Sequence, residues 1–360
     1  MDTDNVKISV ILPCYNVSPY IDRCIQSILQ QTFLDYEIIC VNDGSTDNTL
    51  EELNKWKEHP KFRILSFQNQ GVSQARNEGL FVAKGEFVFF LDPDDYIDRQ
   101  TLEIAYNTCI QNNSDAILFA YQSIEENTGK KSWVCLGNKS KSLYEGIEII
   151  TELLPRFIGY SRKDIANYGT PKFSEEKEMA SVWRFLYKRK ILIDNNIFFS
   201  KGVRLAQDRI FNCRFFCYAQ KISIINDVLY NYMIKDSGAM YSSLNNPLKL
   251  YKAKINLTKE RNKLRTLYKD VHKIDILDTY IGTLIFSAFE LYVKLANTNY
   301  KQGLRGLQEY LSLEEVKIAF KTTGSKDLPI KVKIPLLFTK YGLSSFLYTS
   351  LWLLNRLKRG

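Results

Sequence analysis

Three carboxylates stand within four residues at Asp92-Pro93-Asp94-Asp95, directly after the apolar run 87–91. Like charges this close repel one another, so something must compensate them. A hard divalent cation bound through oxygen does so, and such a cation is also a natural holder of phosphate. The plainer alternative is a solvated turn, because Asp and Pro are common turn residues. Two further polar clusters bear on the choice. Pro13-Cys14-Tyr15-Asn16 follows the run 8–12, and Asn42-Asp43-Gly44-Ser45 follows the run 37–41. One such loop is an accident of sequence; three on one rim point to a site.

Runs 8–12, 37–41, 62–67, 87–91 and 116–121 read as strands, and residues 20–30, 46–57 and 72–84 between them as helices. Short apolar strands spaced by helices predict a parallel sheet covered on both faces. The fold class is therefore α/β and doubly wound, a layout whose ligands sit outside the carboxyl ends of the strands. Residues 145–158, 180–190 and 207–218 read as helices, and 222–225 and 228–234 as strands. Beyond Pro247 the chain reads as helical, with 249–269 strongly charged and 274–295 apolar at helical spacing. No internal repeat or low-complexity linker interrupts it.

At 360 residues, 45% hydrophobic and 25% charged, the chain has the composition of a globular protein with a sizeable core. Residues 1–5 are polar and give no signal-peptide pattern. Seven cysteines, at 14, 24, 40, 109, 135, 213 and 217, form no CxxC pair, and two histidines give no zinc pattern. A reducing compartment follows. The net charge of +9 hides a division, since residues 1–125 hold 9 basic and 19 acidic side chains and the remainder 40 and 21. That asymmetry suggests an anionic partner for the second half. No nucleic-acid motif accompanies it, and the acidic rim would repel a phosphate backbone, so nucleic acid is set aside in favour of a membrane surface.

The motifs Ile11-Leu12-Pro13-Cys14-Tyr15-Asn16, Val41-Asn42-Asp43-Gly44-Ser45-Thr46-Asp47, Gln70-Gly71-Val72-Ser73-Gln74-Ala75-Arg76-Asn77-Glu78-Gly79 and Phe90-Leu91-Asp92-Pro93-Asp94-Asp95, in that order, resemble the family 2 glycosyltransferases. The likeness is dense over residues 7–122 and thin to about 240. It implies the GT-A fold, a mostly parallel sheet flanked by helices, and transfer of a sugar from a nucleoside diphosphate, UDP by resemblance, with inversion at the sugar carbon. It also implies a catalytic domain over 1–240, with 1–122 on the nucleotide-sugar side and 123–240 on the acceptor side, ahead of a helical region 241–360.

Roles follow from that resemblance and from chemistry. Pro13 and Tyr15 flank the nucleotide, where a ring can meet the base, and Asp43 can accept from a uracil imino N–H. Arg76 can reach a pyrophosphate or the acidic loop. Asp92 and Asp94 form the Asp-x-Asp pair, Asp94 being the better metal ligand and Asp92 contacting both ribose and metal, with Mn²⁺ or Mg²⁺ as the ion. Asp95 either assists or begins the next segment. Asp47 reads as an N-cap, aided by Ser45 and Thr46. Each position also has a structural reading: a rim aromatic for Tyr15, a turn residue for Asp43, an Arg–Asp strut for Arg76.

The strings Trp183-Arg184-Phe185-Leu186-Tyr187-Lys188 and Gly202-Val203-Arg204-Leu205-Ala206-Gln207-Asp208-Arg209-Ile210-Phe211 resemble the acceptor-side signature, in which a Glu-Asp pair opens a helix. Gln207 departs from it. Asp208 keeps the acid and is the expected general base; the alternative is an acid favoured by a helix N-terminus. In the segment Tyr232-Met233-Ile234-Lys235, Met233 stands where an arginine is common, leaving Lys235 as a phosphate contact.

At the far end Leu343, Phe346, Leu347, Leu351, Leu354 and Leu357 recur at helical spacing, and no acid follows Asp327 while Lys331, Lys333, Lys340, Arg356, Lys358 and Arg359 do. The window 334–354 is too interrupted to span a bilayer. An amphipathic helix lying in the interface fits, and packing on its own domain or in a homodimer is the other use of such a stripe. The expectation is a cytoplasmic enzyme, peripheral on the inner face of the cytoplasmic membrane, acting on a saccharide acceptor that is lipid-linked and belongs to surface-polysaccharide assembly. A polyprenyl-phosphate sugar synthase and a non-catalytic donor-binding scaffold are the competing readings.

Overall fold

The computed structural model describes residues 6–357 except 135–140, 169, 171–172, 174–176, 204, 236–245 and 327. Cys135, Arg204, Lys358 and Arg359 therefore lie outside the described residues. The chain forms two compact units: Met1–Leu154 with Met179–Gly202 and Gln207–Lys235, and Pro155–Glu178 with Val203–Ala206 and Asp236–Gly360.

The first unit is built on one sheet. Its strands are β1 (Ile8–Cys14), β2 (Tyr36–Asp43), β3 (Phe62–Phe67), β4 (Phe87–Phe90), β5 (Tyr96–Ile97), β6 (Ala116–Glu125), β7 (Lys131–Val134), β8 (Leu143–Glu145), β9 (Phe185–Lys188) and β10 (Lys221–Ile234). They run in the order β3-β2-β1-β4-β9-β6-β10-β5, with β7 beside β6 and β8 beside β10. β1 pairs in parallel with β2 and β4, β2 with β3, and β6 with β10, so the sheet is mostly parallel, as expected. Every residue of β1 and β2 is buried, which is what largely apolar strands show when both faces are covered. The cover comes from α1 (Ile21–Leu29), α2 (Thr49–Asn54), α3 (Val72–Val82), α4 (Thr101–Gln111), α7 (Arg189–Asp194) and α8 (Gln207–Tyr218). At Gly79 a Cβ would lie 2.4 Å from Ile11 Cγ2, so glycine is what lets α3 lie close on the sheet.

Three local expectations are corrected. Residues 180–190 do not form one helix: a 3₁₀ turn at Val182–Arg184 leads into β9, antiparallel between β4 and β6. Phe185, Leu186 and Tyr187 are all buried, and aromatic residues covered on both faces favour a strand. The runs 222–225 and 228–234 are one strand, β10, with register shifts around Val228. Asp47 is not the N-cap, which is Asn48; its carboxylate instead accepts from the Thr49 and Ser18 amides and ties two loops together.

The second unit is helical: α5 (Leu154–Ile158), which begins on the last residue of the first unit, α6 (Arg162–Ala166), α9 (Pro247–His272), α10 (Leu277–Leu295), α11 (Tyr300–Leu311), α12 (Glu314–Thr322), α13 (Ile330–Lys340) and α14 (Ser344–Leu357). Asn246 caps α9 ahead of Pro247, and Asn299 caps α11. The apolar helix α10 is central, with Ile281, Leu284, Ile285, Ala288, Leu291 and Leu295 all buried.

The stripe on α14 divides. Tyr348 is buried and donates to the Leu295 carbonyl, Trp352 donates to the Thr298 carbonyl, and Leu347 and Leu351 pack on the core. Phe346, Leu354 and Leu357, with Leu353, are 65%, 53%, 79% and 50% exposed. At 100° per residue those four share the opposite side of the helix. Among the described residues no helix is long and apolar enough to cross a membrane.

Candidate active site

The carboxyl ends of β1, β2 and β4 bring the three polar loops to one rim. Pro13 is buried within β1, while Tyr15, just past its end, is 47% exposed and offers a free ring face. Asn16, at a φ of 52°, accepts from the Thr46 amide at 2.8 Å, and its own amide donates to Ser45, so the β1 and β2 loops are clipped together. Asp43 is buried and receives the amides of Gln70 and Gly71, both at 2.8 Å. It thus shapes the entry to α3, and its oxygens retain lone pairs for a further donor. Gly44 sits at a φ of 69° with Asn69 N 2.7 Å from where a Cβ would be, a turn that only glycine makes without strain.

The three carboxylates after β4 have three different partners. Asp92 Oδ1 accepts from Arg76 Nη2 at 2.8 Å. Asp94 Oδ2 lies 2.8 Å from Lys235 Nζ, and the Asp94 carbonyl accepts from Arg23 Nη2 at 2.8 Å. Asp95 is buried, accepting from Tyr230 Oη and the Met233 amide, each at 2.7 Å. Burial, reinforced by the Asp94 and Asp92 charges, pushes the Asp95 carboxyl well above its ordinary value. The Asp92 carboxyl is also raised, by burial first and with Asp94 and Asp208 adding to it, against Arg76. Asp95 is thus a strut from the loop to β10. Trp183, just before β9, stacks on Tyr230 at 4.1 Å.

Arg76 is the centre of the site. It is 3% exposed, and its second fork atom, Nη1, donates to Asp208 Oδ1 at 2.8 Å. One guanidinium from the start of α3 thereby joins the acidic loop to the start of α8. Burial alone would depress its pKa; Asp208 and Asp92 outweigh that and raise it. The guanidinium lies 5.2 Å above the Phe199 ring, and among the described residues its Nε–H has no hydrogen-bond partner. Asp208 Oδ2 accepts from the Val182 amide at 3.3 Å. Gln207, which replaces the expected glutamate, accepts from the Ser73 hydroxyl on α3. The orientation that a Glu partner would give is supplied to Asp208 by Arg76 and by that link between the helix starts.

The profile described as Glycosyl transferase family 2 matches residues 9–169. The glycosyltransferase GlyG of Streptococcus pneumoniae is 31% identical over 65% of this chain and 72% of its own length. The chain belongs to glycosyltransferase family 2. The cholesterol galactosyltransferase of Borreliella burgdorferi is 29% identical over 96% of this chain and 94% of its own. Against other curated relatives the chain spans only 60%, 31% or 33% of the relative's length. A crystal structure of Staphylococcus aureus TarS residues 1–349 with UDP-GlcNAc superposes with a TM-score of 0.66 at 20% identity, covering 98% of this chain and 92% of that one. That likeness confirms the GT-A fold expected from the motifs.

Family 2 membership directs attention to a divalent cation. Among the described residues no three His, Cys, Asp or Glu side chains gather into a ready-made metal cage. Asp92 is held by Arg76 and Asp95 by Tyr230, which leaves Asp94, 37% exposed against 27% for Asp92, as the most exposed of the three and the one paired with a lysine. That Asp94 already attracts a side-chain cation shows that it suits one. The donor set fits a hard ion whose remaining ligands are phosphate and water oxygens.

The structure brings Arg76, Asp92 and Asp208 into direct contact, and places Asp94 in the same acidic loop, two residues from Asp92. Pro13, Tyr15 and Asp43 lie at the ends of β1 and β2, and none of the three bonds to that carboxylate cluster. Sequence reasoning missed Tyr20 and Arg23, three residues apart at the start of α1, and Ser73 opposite Gln207. The spacing of Tyr20 and Arg23 was the available signal, but nothing local shows that a helix beginning there meets the β4 loop.

Proposed function

We propose that the chain is an inverting glycosyltransferase moving a sugar from a nucleoside diphosphate, UDP, to a hydroxyl of a saccharide acceptor. The observation that carries this reading is Arg76 bridging Asp92 and Asp208, because it couples a donor-side acid to an acceptor-side acid through one buried guanidinium. Tyr15 stacks on the base, while Pro13 and Asp43 border it. Asp92 takes the ribose, and Asp94 is the protein's ligand to Mn²⁺ or Mg²⁺, with Asp92 next to it. When bound, that ion offsets the charge that develops on the departing diphosphate. Asp208 receives the proton of the acceptor hydroxyl as the bond to the sugar forms, and its pairing with Arg76 orients it towards the site. Residues 1–240 carry the chemistry, 1–122 for the donor and 123–240 for the acceptor.

The acceptor is lipid-linked, in capsule, exopolysaccharide or lipopolysaccharide synthesis, and residues 241–360 bring the enzyme to the cytoplasmic face of a membrane. The outward side of α14 and the acid-free stretch after Asp327 support that placement. So does similarity, over nearly the whole chain, to an enzyme named for a membrane lipid. TarS, named for poly(ribitol-phosphate) and N-acetylglucosamine, supports a UDP-sugar donor and a cell-surface polymer acceptor. The test is a panel of nucleotide sugars, with and without Mn²⁺, read by thermal stabilisation of the purified chain and then by transfer to lipid-linked saccharides. A UDP-sugar that raises the melting temperature only with metal is the expected result. Stabilisation equal in chelator dismisses the metal, and no stabilisation by any nucleotide dismisses the reading.

A further inference from the structure

Asp94 differs from its two neighbours in the kind of partner it has. Asp92 faces a buried guanidinium, and Asp95 faces a phenol and a backbone amide, none of which can leave without orphaning a buried group. Asp94 faces the ammonium of Lys235, immediately after the end of β10, where the side chains are 37% and 13% exposed. Lys235 Nζ also lies 3.4 Å from the centroid of the Tyr20 ring. The ring and the carboxylate thus both hold the ammonium. A lysine is a compact charge on a flexible stem, and this pair is only part-buried, so it separates more readily than the buried Arg76 bridge.

We propose that Lys235 is a tethered cation that occupies Asp94 until the donor arrives and then turns to the donor's diphosphate, so that the divalent ion enters with the nucleotide and not before it. This rests on the glycosyltransferase reading given above. A divalent ion approaching Asp94 alone must compete with an ammonium on the same carboxylate, and the two cations repel. A nucleoside diphosphate changes the balance, because its phosphate oxygens give the ammonium a new partner as the carboxylate is released. The Tyr20 ring retains a cation–π contact through that turn, which keeps the lysine on a short lever. Metal and nucleotide binding are then coupled through one side chain, and coupling of this kind is reciprocal.

The experiment is a Mn²⁺ titration of the intact chain, followed by the electron paramagnetic resonance signal of free Mn²⁺, first alone and then with UDP. The wild type should bind Mn²⁺ weakly alone and far more tightly with UDP. Lys235→Gln should bind Mn²⁺ alone about 10-fold more tightly and bind UDP in its presence about 10-fold more weakly, shrinking the coupling about 10-fold for an unchanged affinity for UDP alone. Tyr20→Leu, which loosens the seat of the ammonium without removing it, should shift Mn²⁺ affinity the same way by a smaller factor. If Lys235→Gln changes the melting temperature but neither Mn²⁺ affinity nor coupling, Lys235 is a strut and the proposal fails. If no form binds Mn²⁺ even with UDP, the metal reading itself fails and this proposal with it.

Discussion

The sheet-built unit carries surplus acid on one rim and answers it from within: Arg76 for Asp92 and Asp208, Lys235 for Asp94, Tyr230 and the Met233 amide for Asp95. The helical unit does the reverse with its apolar residues. It buries Tyr348 and packs Trp352, Leu347 and Leu351 on its own core, yet leaves Phe346, Leu353, Leu354 and Leu357 outward on the same helix. Where charges are cross-linked inside a unit, the chemistry lies in exchanging those internal partners for a ligand. Where apolar residues stay outward beside an acid-free basic stretch, the question is which surface covers them.

Three measurements test that contrast, and the largest effect belongs to the cross-linked rim. Asp208→Asn keeps the shape of the side chain but removes the charge that faces Arg76. Transfer should fall by ~100-fold or more, the scale of a lost acid–base group, while thermal stabilisation by the nucleotide sugar is retained. Undiminished transfer would remove Asp208 as the base and reduce the Arg76 bridge to a strut.

The outward stripe comes next. Phe346→Ser, Leu353→Ser and Leu354→Ser combined should cut partition onto vesicles containing an anionic phospholipid by about 10-fold, since each large apolar side chain contributes ~1.5–3 kcal/mol when fully buried and these sink only part-way. The triple substitution is a cleaner probe than deleting residues 336–360, because that deletion also removes the buried Leu336 and Tyr348. Unchanged partition, with dimer formation lost instead, would assign the stripe to a second copy of the chain.

How much was legible in advance follows from range. β1, β2 and β4 and the loops after them were readable because a short, largely apolar run followed by a polar cluster rich in Asp, Asn, Pro or Gly is a local signal. The family motifs named Arg76, Asp92, Asp94 and Asp208 for the same reason. What stayed hidden depends on contacts across more than a hundred residues. Asp95 meets Tyr230 and Met233 only because β5 pairs with β10. Residues 180–190 mislead because a charged, aromatic stretch of helical length carries no sign that β9 will be enclosed on both sides. The α14 stripe reads as one face in sequence because hydrophobicity does not say which neighbour takes which residue.

The smallest effect lies in the helical unit, where ion pairs face water. Asp275 accepts from Arg265 Nε at 2.6 Å and Nη2 at 2.7 Å, with Lys269 at 2.8 Å, and is 32% exposed. The Arg265 hydrogen bonds, working against desolvation and aided by Lys269, lower its carboxyl to about 2 from 3.8. A carboxyl depressed in the folded state contributes stability that is present above its unfolded value and lost as pH falls through its folded one. The gap would be worth ~2.5 kcal/mol unscreened, and solvent cuts that to ~1 kcal/mol. Asp275→Asn should therefore lower the urea midpoint at neutral pH by the equivalent of ~1 kcal/mol, with the difference closing as pH falls from about 4 towards 2. A gap that persists unchanged at about pH 3 would mean that Asp275 acts through the shape of the turn between α9 and α10 and not through its charge. The helical unit's exposed pairs would then have no electrostatic share in the contrast with Arg76.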